Sequence, residues 1–310
     1  MKIGIIDADK NGFPNLVLMK LSAWHKRQGD NVEWYEPLLS GHMDRVYISK
    51  VFSFTPEYEY YIDADEVIRG GSGYSIKLEN GREIFQKGND GKLPEEIEHI
   101  MPDYSIYGIT DTAYGFMSRG CPRKCEFCHV GQKEGTISRK TADLREFWDG
   151  QKYIELMDPN TMACKEWEDI LGQLEESKAY VDFNQGVDIR LITEEKIEKI
   201  RKIKMKRIHF AWDQYKDREI ILPKLKMVKE ITGWKRDKVT VYVLCGYNTT
   251  IEEDLERIEK IKELNFQPYV MLYDKQHIKR GSELRKLQRW VNAKQAFWSC
   301  DFTKYQGDKK

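Results

Sequence analysis

Three of the six cysteines of this chain lie within eight residues, at Cys121, Cys125 and Cys128. Their spacing is C-x3-C-x2-C, and clustered cysteines in a long cytosolic chain more often bind metal than form a disulfide framework. Three thiolates in one loop can hold three irons of a [4Fe-4S] cluster and leave the fourth iron without a protein ligand. The pattern therefore predicts a metal loop whose cluster keeps one open iron.

A structural zinc site is the alternative interpretation, because such a site normally takes four protein ligands. The candidate fourth ligand is His129, but it is adjacent to Cys128. The other cysteines, Cys164, Cys245 and Cys300, are far from the loop in sequence and are interpreted as small buried hydrophobes. The missing fourth ligand favours the iron–sulfur interpretation.

The run YGFMSRGCPRKCEFC, which ends at Cys128, resembles the signature loop of the radical S-adenosylmethionine superfamily, C-x3-C-x-(aromatic)-C. The resemblance covers residues 106–274 and implies two cofactors, a [4Fe-4S] cluster and S-adenosylmethionine. Phe127 is then the aromatic that flanks the adenine. The implied reaction is reductive cleavage to methionine and a 5′-deoxyadenosyl radical, which abstracts hydrogen from an unidentified substrate. An electron donor such as flavodoxin or ferredoxin is implied as a partner.

The same resemblance implies further contacts to S-adenosylmethionine from residues that follow predicted strands. Asp158 and Asn160 lie where the family has a loop whose backbone contacts the methionine amino group. Gln185 and Arg190 are candidates for the ribose hydroxyls and the carboxylate, since an amide bridges hydroxyls and a guanidinium pairs with a carboxylate. The alternative for Arg190 is a salt bridge to a neighbouring acidic residue.

Two more candidates follow the fourth and fifth predicted strands. Asp213 either contacts the ligand or caps the next helix. Gly246 would let the adenine approach the backbone, because glycine has no side chain there. This chain departs from the family pattern at Thr249, which stands where the family has a glutamate, and the departure weakens the assignment of Gly246.

The elements that must position these residues follow a regular strand–helix pattern. Six strand-like runs begin near Tyr114, Tyr153, Tyr180, Arg207, Val239 and Pro268. They start about 30 residues apart, the length of one strand plus its crossover helix. The clearest helix follows the capping box formed by Thr250 and Glu253. The pattern predicts an α/β fold with a parallel sheet, open or curled, and the resemblance implies a partial (β/α)6 barrel of the radical S-adenosylmethionine type.

Residues 1–105 open with a strand, a helix and a second strand, and we expect a small Rossmann-like α/β domain there. This region resembles the cobalamin-binding domains that precede many radical enzymes. However, Asp9 stands where some cobalamin proteins have a histidine ligand to cobalt, and a carboxylate cannot replace an imidazole in that bond. We therefore favour a degenerate domain without cobalamin, and cobalamin binding stays as the alternative.

Residues 275–310 carry ten Lys or Arg against three acids, with five aromatics interleaved. Such a tail could bind a nucleic acid through phosphate pairing and base stacking. The favoured interpretation is a helix from Ser282 to Asn292 that closes the open side of the barrel. The three predicted regions are thus residues 1–105, 106–274 and 275–310.

Composition sets further limits. The 51 Lys and Arg balance 51 Asp and Glu, so the chain is a poor candidate for a general nucleic-acid coat. No apolar run reaches the roughly 18 residues needed to span a bilayer, which predicts no membrane association. The first residues, MKIGIIDADK, lack the apolar segment of a signal peptide, so we expect a cytoplasmic protein. An oxygen-sensitive cluster also indicates an anaerobic host.

Two competing functions remain at this point. One is a cobalamin-dependent radical methyltransferase. The other is a non-catalytic zinc or iron–sulfur module that binds nucleic acid through the basic tail. A methylthiolating RNA enzyme is disfavoured, because residues 1–105 contain no cysteine for a second cluster.

Overall fold

The computed structural model describes residues 1–79, 82–86 and 92–306 of the chain. The chain packs as two compact units. The first consists of Met1–Ile137 and Thr141–Ile154, and the second of Ser138–Lys140 and Glu155–Lys310. Residue 105 therefore lies inside the first unit, and the three predicted regions stay a prediction.

The first unit contains a four-stranded parallel sheet in the order β2-β1-β3-β4. Its elements are β1 (Lys2–Asp7), α1 (Leu16–Arg27), β2 (Asn31–Trp34), β3 (Met43–Ser49) and β4 (Ala64–Gly70). The predicted strand–helix–strand opening is confirmed. Helix α1 begins after Asn15, whose side chain accepts a hydrogen bond from the backbone N–H of Leu18, and it buries Leu18 and Leu21 against β1.

Short elements follow β4. They are α2 (Ser72–Ser75), β5 (Ile76–Glu79), β6 (Arg82–Phe85), α3 (Glu95–Glu98), β7 (Thr112–Gly115), β8 (Ser118–Arg119), α4 (Val130–Glu134) and β9 (Arg139–Lys140). Strands β5 and β6 form an antiparallel pair. Three-residue and four-residue 3₁₀ turns connect several of the longer elements.

The second sheet has six parallel strands in the order β14-β13-β12-β11-β10-β7. The strands after β9 are β10 (Tyr153–Leu156), β11 (Tyr180–Val187), β12 (Met205–Ala211), β13 (Val239–Cys245) and β14 (Gln267–Leu272). All six predicted strands are therefore present, and each pairs with the strand that precedes or follows it in the predicted series. This arrangement is the α/β class that the repeated strand–helix pattern predicts.

A helix follows each strand from β10 to β13. These helices are α5 (Trp167–Ser177), α6 (Glu194–Lys202), α7 (Arg218–Thr232) and α8 (Ile251–Glu263). The predicted capping box of α8 is confirmed, because Thr250 and Glu253 exchange side-chain-to-backbone hydrogen bonds. The helices bury aliphatic side chains at helical spacing, such as Ile197 and Ile200 of α6, and full burial of each contributes about 1.5–3 kcal/mol.

Two helices end the described chain, α9 (Glu283–Asn292) and α10 (Lys294–Ser299). The predicted helix at Ser282–Asn292 is confirmed, with Ser282 as its N-cap. The side chain of Asn292 donates to the carbonyl of Val270 and accepts from its N–H, so α9 satisfies backbone groups of the edge strand β14. Trp290 and Phe297 are fully buried, which keeps these two rings from stacking on a nucleic acid.

Within residues 1–79, 82–86 and 92–306, no helix is both long enough and apolar enough to cross a bilayer.

Candidate functional site

The cysteine loop follows β8 in the first unit. The backbone N–H of Cys121 donates to the carbonyl of Gly135 over 3.1 Å, and the N–H of Cys128 donates to the carbonyl of Cys125 over 3.0 Å. The first bond closes the base of the loop, and the second forms a turn that contains Phe127. Cys121 and Cys125 are half-buried, and Cys128 is exposed. The thiols therefore lie at the protein surface rather than in the core.

A network of charged groups holds the start of this loop. The Arg119 guanidinium pairs with Glu134 at 3.1 Å and with Glu98 at 3.3 Å, and it lies 3.6 Å from the centre of the Phe116 ring. Glu134 also accepts a hydrogen bond from the N–H of Gly120. Because three separate contacts hold Arg119, the residue directly before the loop has little freedom to move.

Gly120 is required by the backbone at the point where the loop begins. Its φ is +88°, in the region that residues with a side chain rarely adopt. A Cβ at this position would lie 2.2 Å from the carbonyl oxygen of Ile137 and 3.2 Å from that of Gly135. The chain thus passes closely over residues 135–137, and only glycine permits this approach.

The described residues contain no group of three or more His, Cys, Asp or Glu side chains positioned to hold a metal ion. The donor chemistry suits an iron–sulfur cluster, since three soft thiols occur in one accessible loop. Their side chains are not gathered into one coordination group. The metal-ligand roles of Cys121, Cys125 and Cys128 therefore stay a prediction.

The remaining predicted site residues lie in the second unit, near or after the carboxyl ends of its strands. Asp158 and Asn160 follow β10 and are both buried, at 4% and 2% exposure. Asp158 accepts a hydrogen bond from the hydroxyl of Thr161, and the carbonyl of Asn160 accepts one from Ser138. These bonds fix the loop that the family resemblance assigns to the methionine end of the ligand.

Gln185 and Arg190 have different surroundings. Gln185 is exposed near the end of β11. Arg190 is half-buried, and its guanidinium forms ion pairs with Asp188 at 2.8 Å and Asp217 at 2.7 Å. The salt-bridge alternative for Arg190 is therefore present in the structure. A contact between Arg190 and a ligand carboxylate stays a prediction. For that contact to form, the ligand carboxylate would have to replace Asp188 or Asp217 as a partner of the guanidinium.

Asp213 follows β12, and its carboxyl group is buried. Burial raises its pKa to about 6, against the opposing effect of the Arg257 and Arg190 guanidiniums. Its Oδ1 atom is buried and makes no hydrogen bond with any residue that the structure describes. The helix-cap alternative is not what the structure shows, because the N-cap of α7 is Asp217. One carboxylate oxygen of Asp213, Oδ1, is thus a buried acceptor without a hydrogen bond from the described residues.

Gly246 follows β13 with a φ of +77°, and its N–H donates to Asp254 over 3.3 Å. A Cβ added there would lie 3.1 Å from a methyl group of Leu284, the second residue of α9. A side chain at this position would therefore meet both backbone strain and a close neighbour. Nearby, the Thr249 hydroxyl is buried and has no hydrogen-bond partner among the described residues.

Sequence reasoning missed the group that joins these two strand ends. Arg257 of α8 is fully buried, and its guanidinium donates to the carbonyls of Trp212, after β12, and Leu244, in β13. It also pairs with the equally buried Asp254. The loops that carry Asp213 and Gly246 are therefore tied to one side chain. In the sequence, this pair is visible only as an acid and an arginine three positions apart, Asp254 and Arg257. That spacing usually indicates an exposed helix face.

Asp9, the residue at the cobalt-ligand position of the resemblance, has a structural role in the first unit. Its carboxylate accepts hydrogen bonds from the N–H of Val51, the N–H of Phe52 and the hydroxyl of Thr55. It therefore holds the loop after β3. A carboxylate engaged in these three hydrogen bonds offers no imidazole to cobalt, and cobalamin binding stays a prediction.

Comparison with known proteins adds little to this picture. No protein-family profile matches the sequence, and no curated protein is similar to it. Among solved structures, SuiB of Streptococcus suis is similar over 61% of this chain and 47% of its own, at 14% identity and a TM-score of 0.41. This chain thus spans about half the length of that protein.

Proposed function

We propose that this protein is a radical S-adenosylmethionine enzyme with a partial (β/α)6 barrel. In this proposal Cys121, Cys125 and Cys128 hold a [4Fe-4S] cluster. When bound, the cluster supplies one electron to the sulfonium of S-adenosylmethionine and yields methionine and a 5′-deoxyadenosyl radical. The radical abstracts hydrogen from a substrate that is not identified, and a flavodoxin or ferredoxin supplies the electron.

The observation that carries the proposal is the loop itself. Three partly exposed thiols occur at C-x3-C-x2-C spacing, with an aromatic directly before the third cysteine. The backbone at Gly120 and the ion pairs of Arg119 hold the start of the loop in place. A loop fixed at its base with its thiols accessible is suited to receive a preformed cluster.

The strand ends of the second unit support the ligand part of the proposal. Asp213 Oδ1 and Thr249 Oγ1 are buried and have no hydrogen bond within the described part of the chain. Buried polar atoms in native proteins nearly always have a partner, which can be water or a ligand. Both atoms lie after the carboxyl ends of neighbouring parallel strands, the edge at which α/β folds bind ligands. A ligand with several hydroxyl groups would satisfy them.

The direct test is anaerobic reconstitution of Cys125→Ala beside Cys300→Ala. Cys300 is also half-buried but lies outside the loop, so it controls for the loss of any thiol. We expect about four iron and four sulfide per chain, and 5′-deoxyadenosine after reduction, for the wild type and Cys300→Ala only. Deoxyadenosine from Cys125→Ala would contradict the proposal, and one zinc per chain without iron would support the binding-module alternative.

The cobalamin-dependent methyltransferase alternative is tested in the same preparation. Hydroxocobalamin is added anaerobically, and the absorption spectrum is recorded after gel filtration. A protein that retains only its iron–sulfur absorption supports the proposal of hydrogen abstraction without cobalamin. Retained corrin absorption supports the methyltransferase alternative.

A further inference from the structure

A cavity of about 910 Å³ opens in the first unit, and neither the cysteine loop nor the strand ends of the second sheet line it. It lies at the carboxyl ends of β1 and β2, where Asp7 and Trp34 are the last residues of their strands. Ligands of parallel α/β sheets bind at this edge. The volume is at the upper end of the range of small-molecule sites, roughly 300–1,000 Å³.

Six of the described residues that line the cavity are aromatic. The rings belong to Phe13, Trp34, Tyr35, Tyr58, Tyr60 and Tyr107. Trp34 and Tyr107 meet edge to face with centroids 5.1 Å apart, and Tyr58 and Tyr60 form a second such pair at 5.5 Å. Such a wall offers large, flat surfaces for stacking.

Several of these rings are held before any ligand binds. The Trp34 indole N–H donates to the carbonyl of Ile106 over 2.9 Å, and the Tyr107 hydroxyl donates to Asp7 over 2.7 Å. The Tyr35 hydroxyl accepts the N–H of Asp63 over 2.8 Å. Rings that are already fixed lose little conformational entropy on binding, so they favour a rigid ligand.

The rim of the cavity exposes apolar surface. Leu38 and Leu39 are 96% and 86% exposed, and Tyr60 is 73% exposed. Contiguous exposed apolar residues around a concave site mark a place where a ligand covers them. Among the described residues that line the cavity, the charged side chains are Asp7, Glu36 and Lys10. Two acids against one base disfavour a phosphorylated or otherwise anionic ligand.

We propose that the first unit binds an uncharged, flat aromatic ring system in this cavity, stacked on its tyrosine and tryptophan rings. The proposal does not depend on the radical chemistry of the cysteine loop. It differs from the cobalamin alternative in what the protein must supply. A flat aromatic ring needs aromatic side chains to stack on and needs no side chain that binds a metal.

The test uses the full-length protein and riboflavin, a neutral tricyclic ring whose fluorescence is quenched when it stacks on aromatic side chains. We expect saturable quenching by the wild type and weaker binding of riboflavin 5′-phosphate, because the lining carries net negative charge. Tyr60→Ala should raise the dissociation constant roughly three- to tenfold, the effect of one aromatic contact. The matched control is Tyr61→Ala, a neighbour that is 82% exposed and does not line the cavity, with a change below about twofold.

Three results would overturn the proposal. The first is no saturable quenching with either riboflavin or the smaller ring lumichrome. The second is an equal loss of affinity in Tyr60→Ala and Tyr61→Ala, which would indicate nonspecific adsorption. The third is displacement of riboflavin by hydroxocobalamin at lower concentration than by lumichrome, which would assign the cavity to a corrin.

Discussion

The backbone at the start of the cysteine loop makes a sharp prediction for Gly120→Ala. An alanine there must adopt a φ of +88°, which costs about 1–2 kcal/mol for a residue with a side chain. Its Cβ must also move from 2.2 Å to at least 3.0 Å from the carbonyl oxygen of Ile137. Relieving a contact of this kind in a packed region costs roughly a further 1–3 kcal/mol, so we expect a total loss of about 2–5 kcal/mol.

Gly150→Ala is the matched control for this variant. Gly150 has nearly the same φ, +85°, but no atom of the described residues lies within 4 Å of the position that its Cβ would take. The control therefore carries the backbone cost alone, about 1–2 kcal/mol. The difference between the two variants isolates the close approach of the loop to residues 135–137.

The assay combines the urea midpoint, followed by circular dichroism, with the iron content after anaerobic reconstitution. Gly120→Ala should lower the midpoint more than Gly150→Ala and should lose most of its iron, because the thiols no longer share one fixed loop. Gly150→Ala should keep the iron content of the wild type. Equal midpoints and equal iron contents in the two variants would refute the reasoning.

Three further predictions concern buried groups. Arg257→Met leaves a buried carboxylate unpaired and should cost about 3–5 kcal/mol by urea unfolding. Arg201→Met, which breaks an exposed i,i+3 pair, should cost under about 0.5 kcal/mol, and similar losses would contradict the assigned burial. Because burial raises the pKa of Asp213 from 3.8 to about 6, the folded chain holds a proton that the unfolded chain has released, and stability should fall as pH rises from 4 to 6. Asp213→Asn should remove that decline, and an unchanged pH profile of urea midpoints would exclude this origin. In maleimide labelling followed by mass spectrometry, exposed Cys128 should react first. Buried Cys164, whose pKa is raised to about 11 by burial, should react only after denaturation, and equal rates would contradict the structure.

Much of the fold was predictable because its signals are local. The six strands of the second sheet appear as short apolar runs, and the helices between them show caps and apolar positions at helical spacing. The capping box at Thr250 involves residues three positions apart, so its hydrogen bonds follow from the helix itself. The same holds for the last long helix, whose start at Ser282 is a cap visible in the sequence.

The ion pairs of the candidate site were less predictable, because they depend on which loops meet. Arg190 pairs with Asp217, which is 27 residues away and follows a different strand. Asp254 lies in the first turn of α8, a position that is often exposed, yet it is fully buried beside Arg257. Sequence spacing cannot distinguish an exposed i,i+3 pair from a buried one, since the difference lies in what packs against the helix.

The strand–helix order, the helix caps and the three thiols in one short loop can all be predicted from the sequence, because each depends on residues close together in the chain. The folded chain is needed to show which polar atoms are buried without partners among the described residues and which guanidinium joins two strand ends. It is also needed to show that six aromatic rings, from residues 13 to 107, line one cavity. Those features arise from contacts between segments that are distant in sequence, because side chains are removed from water only when such segments pack together.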